Sequence, residues 1–316
     1  MERTALEVQL ANSVPAAITI IGFPGEFFDW GVAAVETMLE ATGCTSSRRW
    51  LTDESDVGEA DAVQLVLSHG PYFSARPTPA PTLVFLDDPA AALRGLLGHN
   101  EDIVGMTRLL TQTIAPLGQV LRAPRTLLIR PAMLQQASVT MHDIATFLGV
   151  KLPLDASQMF APPIQVTSPE SLLGRIVDEL LAPMIETVVT GVRQPYALPR
   201  ECLLAIGPIP APAVVDLVGP ARLLYFGPYY HFLPGDWQVE LDLFFSDDVH
   251  QTVFAAEVCT DAVLAKVQMR PGKGGLFRTS FPVRFSQPEA RMELRVWVNR
   301  GAIEGRMGLQ RVRFVP

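Results

Sequence analysis

The sequence predicts two folds in series, a parallel α/β sheet in the N-terminal half and an antiparallel β-sandwich towards the C-terminus. Three observations lead there. Short apolar runs alternate with helical periodicities as far as residue 150. A proline-rich stretch follows. From Ala221 onwards the apolar residues fall on every second position. The boundaries read as an α/β domain over 1–155, a bridge with one helix over 156–212, and a sandwich or jelly roll over 213–316.

The first element is the apolar run Ala16 to Ile21, which meets the turn Gly22-Phe23-Pro24-Gly25. Val32, Val35, Met38 and Leu39 then recur at helical spacing, and Gly43 stands as a C-cap. Strand, tight loop and helix together form the unit in which helix-end N–H groups cradle phosphates. An acidic connector, Asp53 to Asp61, leads to a second buried strand, Ala62 to Leu67, ending at Ser68-His69-Gly70-Pro71. Arg76 to Pro81 must be extended, because each proline disfavours helix in its predecessor. Thr82 to Leu86 is a third strand. Asp88 then offers an N-cap with Pro89 at the first helical position, opening a helix to about Leu97.

Helical spacing returns over Ile103 to Leu121, Thr126 to Arg130 is a fourth strand, and a helix over Thr140 to Leu148 stops at Gly149. Such alternation implies a parallel sheet covered on both faces. In the bridge, Ser168-Pro169-Glu170-Ser171 opens a helix to about Val189, which Pro183 should kink or split.

In the C-terminal part, Trp237, Val239, Leu241 and Leu243 alternate with polar residues, as do Phe277 to Phe285 and Met292 to Val298. Turns fall at Pro234-Gly235-Asp236, Ser246-Asp247-Asp248, Arg270 to Gly275 and Asn299-Arg300-Gly301. Many short strands at this spacing make an antiparallel sandwich. Phase assigns Trp237 to the core. It puts Trp297 with Glu293 and Arg295 on a polar face, and Arg278 and Arg284 out of phase with their core neighbours.

Composition narrows the function classes. A length of 316 residues suits two ordinary domains, and a net charge of −8 with pI near 5.2 excludes bulk binding of nucleic acid or anionic membrane. The charge is uneven: residues 1–160 hold 17 acidic and 10 basic side chains, net −7, and residues 200–316 hold 12 and 13, net +1. Cys44, Cys202 and Cys259 lack metal or CxxC spacing and read as reduced buried thiols. The N-terminus shows no secretory pattern, and no apolar run approaches the roughly 18 residues of a membrane span. The expected location is the cytoplasm.

The first half resembles the sulfotransferase family, a P-loop-like α/β fold that uses phosphoadenosine phosphosulfate. Three stretches match in order: Gly22-Phe23-Pro24, then Val84-Phe85-Leu86-Asp87-Asp88-Pro89, then Leu128-Ile129-Arg130-Pro131 through Phe147-Leu148-Gly149. The departures fall on the positions the resemblance makes functional. The phosphate-gripping cation and hydroxyl correspond to Gly25, Glu26, Phe27 and Phe28, the 3′-phosphate arginine to Asp87, and a serine to Gly95.

A like-charge contact near 4 Å opposes binding by roughly 4 kcal/mol at an effective dielectric near 20. A lost charged hydrogen bond adds about 1.5–3 kcal/mol. The cofactor-site positions Gly22, Pro24, Gly25 and Asp87 are therefore read as degenerate, and the phosphoadenosine cofactor is expected to be lost. What survives in the resemblance is His69, a candidate general base on an acceptor hydroxyl, against the alternative of a histidine satisfied by a turn carbonyl.

Other motifs have plainer readings. Asp87-Asp88 could begin a metal site with Glu26 and Asp29, but an N-cap explains the pair equally well, and no metal is expected. Gly272-Lys273-Gly274-Gly275 is a hairpin loop. Trp297, Arg295 and Glu293 could hold a sugar by ring stacking and polar bonds, or could pack against the first domain. Tyr225, Tyr229, Tyr230 and His231 around Gly227-Pro228 read as a structural corner.

The functional expectation is a non-catalytic binding or assembly protein whose partner is a glycan or another protein, in polysaccharide or glycoconjugate metabolism. The alternative is an active sulfo- or glycosyltransferase with His69 as base and a cation from Arg48, Arg94 or Arg130.

Overall fold

The structure, a computed structural model, describes residues 14–51, 62–69, 80–98, 101–150, 171–206, 210–249, 252–288 and 290–316. The acidic connector, the Arg76 to Pro79 stretch, the residues following His69 and Ser168-Pro169-Glu170 lie outside them. The chain forms two compact units. One comprises Met1–Gly98 with Gln119–Val166, and the other His99–Gly118 with Thr167–Pro316.

The first unit is built on β1 (Ala17–Gly22), α1 (Glu26–Ala41), β2 (Ser46–Trp50), β3 (Val63–Ser68), β4 (Thr82–Phe85) and α2 (Pro89–Leu97). The helix α3 (Ile103–Leu121) divides between the units at Gly118. β5 (Thr126–Ile129) and α4 (Ala137–Leu148) complete the unit. All five strands are parallel, in the order β2-β3-β1-β4-β5.

The β-branched run of β1 is buried on both faces, Ile18 and Ile20 on one and Thr19 and Ile21 on the other. Ile18, Ile20, Leu65, Leu83 and Phe85 share a core with Val35, Met38 and Leu39 of α1 and Met141, Ile144 and Leu148 of α4. Gly22 is required by close approach: a Cβ there would stand 2.6 Å from the Phe85 carbonyl oxygen and 2.7 Å from the Phe28 ring. The strand β2 escaped the sequence reading because Ser46-Ser47-Arg48-Arg49-Trp50 has no apolar pattern. It is an edge strand paired only to β3.

In the second unit, α5 (Leu172–Ile176) and α6 (Ala182–Thr190) are separated by a π-helical turn over Val177–Leu181. The Ser171 hydroxyl caps α5 by accepting from the Gly174 amide at 2.9 Å. The helix is interrupted where Pro183 predicts a break. Next come β6 (Tyr196–Leu198), β7 (Val214–Asp216), β8 (Arg222–His231), β9 (Gly235–Phe245), β10 (Phe254–Cys259), β11 (Val263–Met269), β12 (Gly275–Phe285), β13 (Arg291–Val298) and β14 (Arg306–Val315).

They form two antiparallel sheets, β11-β10-β13-β8 and β12-β9-β14-β6, with β7 on β14. Phe245 of one sheet meets Phe254 of the other with ring centroids 4.7 Å apart, and Trp237 is 2% exposed in the same interior. The strand β10 was illegible as an alternating pattern because all of its residues are buried. Cys202 and Cys259 are buried free thiols, and burial pushes Cys202 up to about 12. Among the described residues, no helix is long and apolar enough to cross a membrane.

Candidate functional site

Two places bring the sequence-derived candidates together, one in each unit. In the first unit, β1 has β3 on one side and β4 on the other, so the strand order reverses there. The crevice outside such strand ends is where α/β sheets hold ligands.

The loop Gly22 to Gly25 leads into α1 with Gly25 at φ 150°, a backbone that side chains disfavour. No side chain caps this helix, but Glu26 and Asp29 stand in its first turn. Carboxylates there already complement the positive end of the helix dipole, which leaves it a poor anion receptor. Asp87 follows β4. Burial pushes its carboxyl up to about 6, opposed by the Asp88 amide, which donates to Oδ1 at 2.8 Å, and reinforced by the charges of Asp88 and Glu26. Asp88 is the N-cap of α2, accepting from the amides of Ala90 at 2.8 Å and Ala91 at 3.3 Å. That accounts for the Asp87-Asp88 pair, and no cluster of three metal-ligating side chains occurs among the described residues.

His69 lies just past β3. Its Nδ1 is 3.2 Å from the Gly22 carbonyl oxygen, which can only accept, so Nδ1 carries the proton. Its ring packs against Phe28, with centroids 4.2 Å apart, and against Trp50 at 4.8 Å. Burial lowers its pKa, against the opposing influence of the Gly22 carbonyl and Asp29. Trp50 is 45% exposed at the end of β2 and was missed along with that strand.

The candidate cations do not join this group. Arg48 pairs with Glu36 through both carboxylate oxygens at 2.6 Å. Arg94 lies in the last turn of α2, beside Gly95, and Arg130 follows β5. Among the described residues no hydrogen bond or ion pair links any of the three to His69, Glu26 or Asp87.

The second place is the outer face of the four-stranded sheet. On β13, Met292, Leu294, Val296 and Val298 turn inward and are buried, so Glu293, Arg295 and Trp297 turn outward. Register builds rows across that face. Trp297 lies between Leu223 and Ala255, and Arg295 between Phe226 and Glu257, whose other neighbour is Lys266. The Lys266 ammonium is 2.6 Å from Glu257. The Arg295 Nε donates to Glu293 Oε2 at 2.8 Å, and the Tyr229 hydroxyl to Glu293 Oε1 at 2.9 Å.

Glu293 is thus 8% exposed rather than solvated, a buried carboxylate that orients Arg295. Trp297 is partly exposed, and its indole nitrogen is buried without a hydrogen-bond partner. Tyr229, at φ 66°, and Arg108 of α3 belong to this network too. The guanidinium of Arg108 donates to the Pro228 carbonyl at 3.0 and 3.3 Å and stands 5.5 Å from the Tyr229 ring centre. The sequence could not offer Arg108, which reads as one polar position on a helix.

No protein-family model matches the chain, and no curated protein matches it by sequence. Solved structures match over part of it. One is the CBM36-1 domain of a multidomain xylanase from the hindgut metagenome of Trinervitermes trinervoides, at 10% identity over 40% of this chain and 88% of that one, with TM-score 0.25. Another is the carbohydrate-binding module CBM6cm-2 of Cellvibrio mixtus lichenase 5A, in complex with cellotriose, at 11% identity over 33% and 70%, with TM-score 0.20. A third is the infectious bursal virus-derived T=1 particle, at 12% identity over 39% and 31%, with TM-score 0.26.

Proposed function

We propose that this is a non-catalytic glycan-binding protein that works through the outer face of its four-stranded sheet. One observation carries the reading: Trp297 is partly exposed in the same face as Arg295, whose guanidinium is fixed by a buried carboxylate. A sugar ring stacks on an indole through its C–H face while its hydroxyls need rigid donors and acceptors at the rim. A pre-ordered arginine supplies these at small entropic expense.

The α/β unit is proposed as a sulfotransferase-like scaffold without its donor nucleotide, because its loop and strand ends carry Glu26, Asp29 and Asp87 in place of cations. Affinity electrophoresis of the whole chain through gels containing xylan, laminarin, polygalacturonate or dextran sulfate tests the main reading. Retardation by at least one polymer, abolished by Trp297→Ala, is expected. Unretarded migration in every gel, or equal retardation of the variant, overturns it.

A second reading, transfer to a sugar hydroxyl with His69 as base, is favoured by the Gly22 contact, which makes Nε2 the basic nitrogen. Thermal unfolding with millimolar phosphoadenosine bisphosphate separates the two. Ligand at 100 times its Kd adds about 2.7 kcal/mol, a shift of several degrees. Such a saturable shift would mean that the nucleotide site survives and would favour the transferase reading of the first unit, and its absence would support the scaffold reading.

A further inference from the structure

We infer that the saccharide held by this face is acidic, its carboxylate or sulfate received by the N–H groups of Arg108 that the Pro228 carbonyl leaves over; this rests on the glycan-binding reading above. The inference starts from charge on connected groups. Arg108 lies over the Tyr229 ring, the Tyr229 hydroxyl donates to Glu293, and Glu293 accepts from Arg295. The linked groups therefore hold two guanidiniums and one carboxylate, whose two oxygens are engaged by Tyr229 and Arg295. In the next strand pair, Lys266 and Glu257 balance each other. Of the cations in this network, Arg108 has a backbone carbonyl and an aromatic ring for partners but no carboxylate among the described residues. Glu101 and Asp102 precede the same helix, and Asp102 is occupied in its first turn by the Gly105 amide. The connected groups thus carry one uncompensated positive charge on an outer sheet face.

Geometry makes that charge usable. Only Nε and Nη2 of Arg108 are used by Pro228, so about three of its five N–H groups remain to be donated. The guanidinium is held in place by the carbonyl and the ring, so little freedom is lost when an anion arrives. Arg295 keeps part of its fork exposed, 35% of its side chain, while Glu293 fixes the rest. Trp297 is two residues along the same strand, about 7 Å from Arg295 at strand rise. Register places Pro228 opposite Glu293, two residues beyond Arg295, so a saccharide chain whose one ring stacks on Trp297 brings an acidic group of a following residue past Arg295 to Arg108.

The test uses the full chain and four soluble probes: polygalacturonate for carboxylate, dextran sulfate for sulfate, and xylan and laminarin as neutral controls. Affinities are measured by titration calorimetry at 20 and 200 mM salt. The expected result is binding of one acidic polymer that weakens at high salt. It should fall roughly 10- to 100-fold in Arg108→Gln, the loss of a charged hydrogen bond. Arg108→Lys should recover part of it, and Trp297→Ala should abolish it.

Which acidic polymer responds identifies carboxylate or sulfate. Neutral polymers bound best, without salt dependence and with Trp297→Ala inactive, would overturn the acidic assignment and leave the glycan reading standing. Acidic polymers bound equally by Arg108→Gln and Trp297→Ala would place the attraction elsewhere and overturn both. Should Arg108→Gln fail to fold, competition by galacturonate against galactose on the unaltered protein decides: displacement by galactose alone sinks the inference.

Discussion

The imidazole of His69 stands edge-on to the ring of Phe28, with centroids 4.2 Å apart and planes at 62°. A histidine past the end of a parallel strand is thereby fixed against the first turn of α1, and its Nδ1–H is directed onto the Gly22 carbonyl. The ring is expected to be neutral, in the Nδ1–H form, at pH 7. Nitrogen NMR should show that tautomer and a midpoint below 6.5. Because burial lowers the folded pKa, the unfolded state binds more protons in that window. Stability present above pH 6.5 is therefore lost as pH falls through the folded value, and His69→Phe should remove this part of the acid sensitivity.

Asp87 works in the opposite direction. Its carboxyl is raised from 3.8 to about 6, so its ionised form opposes folding, and the stability present below 3.8 is lost as pH rises through 6. Asp87→Asn keeps an oxygen for the Asp88 amide and removes the charge. The variant should be more stable than the parent by about 1–2 kcal/mol at pH 8, after allowing for solvent screening of a partly exposed group. Urea unfolding at pH 8 and pH 4 should show the gap closing at the lower pH. An equal gap at both would rule out the carboxyl as its source.

Asp88 holds the first turn of α2 through two amides, with Pro89 preset for the helix. Asp88→Ala should destabilise the first unit by about 1 kcal/mol, and Asp88→Ser should restore most of it. Were Asp88 a metal ligand, added divalent cations would protect the parent against heat and not the serine variant. No such protection is expected.

Gly22→Ala forces a methyl group against the Phe85 carbonyl and the Phe28 ring. Overpacking of this kind should destabilise by about 2–3 kcal/mol. Phe28→Leu in the same background should relieve part of it, because the ring is one of the two obstacles. Chemical denaturation of Gly22→Ala, Phe28→Leu and the double variant measures the coupling.

The two architectures were legible because burial on one or both faces writes its period into the chain. The alternation in Trp237 to Leu243 gave a core face, and the β-branched run of Ala17 to Gly22 gave a doubly covered strand. β2 and β10 failed for opposite reasons. β2 is an edge strand with too few apolar residues to show a pattern, and β10 is so fully buried that its pattern has no polar phase. At the sites, phase placed Arg295 and Trp297 on the outer face, but it also put Glu293 in solvent, where the structure has it buried under Tyr229 and Arg295. Pairing of that kind depends on a side chain 64 residues away, which no local spacing encodes. Gly22 read as a phosphate-loop glycine, whereas close packing against Phe85 and Phe28 already accounts for it.

The second unit is built from two separate stretches of the chain. Its residues His99–Gly118 are translated before Gln119–Val166 of the other unit, and long before the strands they meet. Thr111 accepts from the His231 amide across 120 residues of chain, and Arg108 donates to the Pro228 carbonyl across as many. An N-terminal segment of this unit must therefore leave the ribosome and wait, its apolar face uncovered, until the strands it meets have followed it. It also means that the sandwich cannot be moved between proteins as a terminal cassette. A fragment starting at Thr167 arrives without the helix that meets Pro228 and His231, and a gene fusion that respects the unit must carry both pieces.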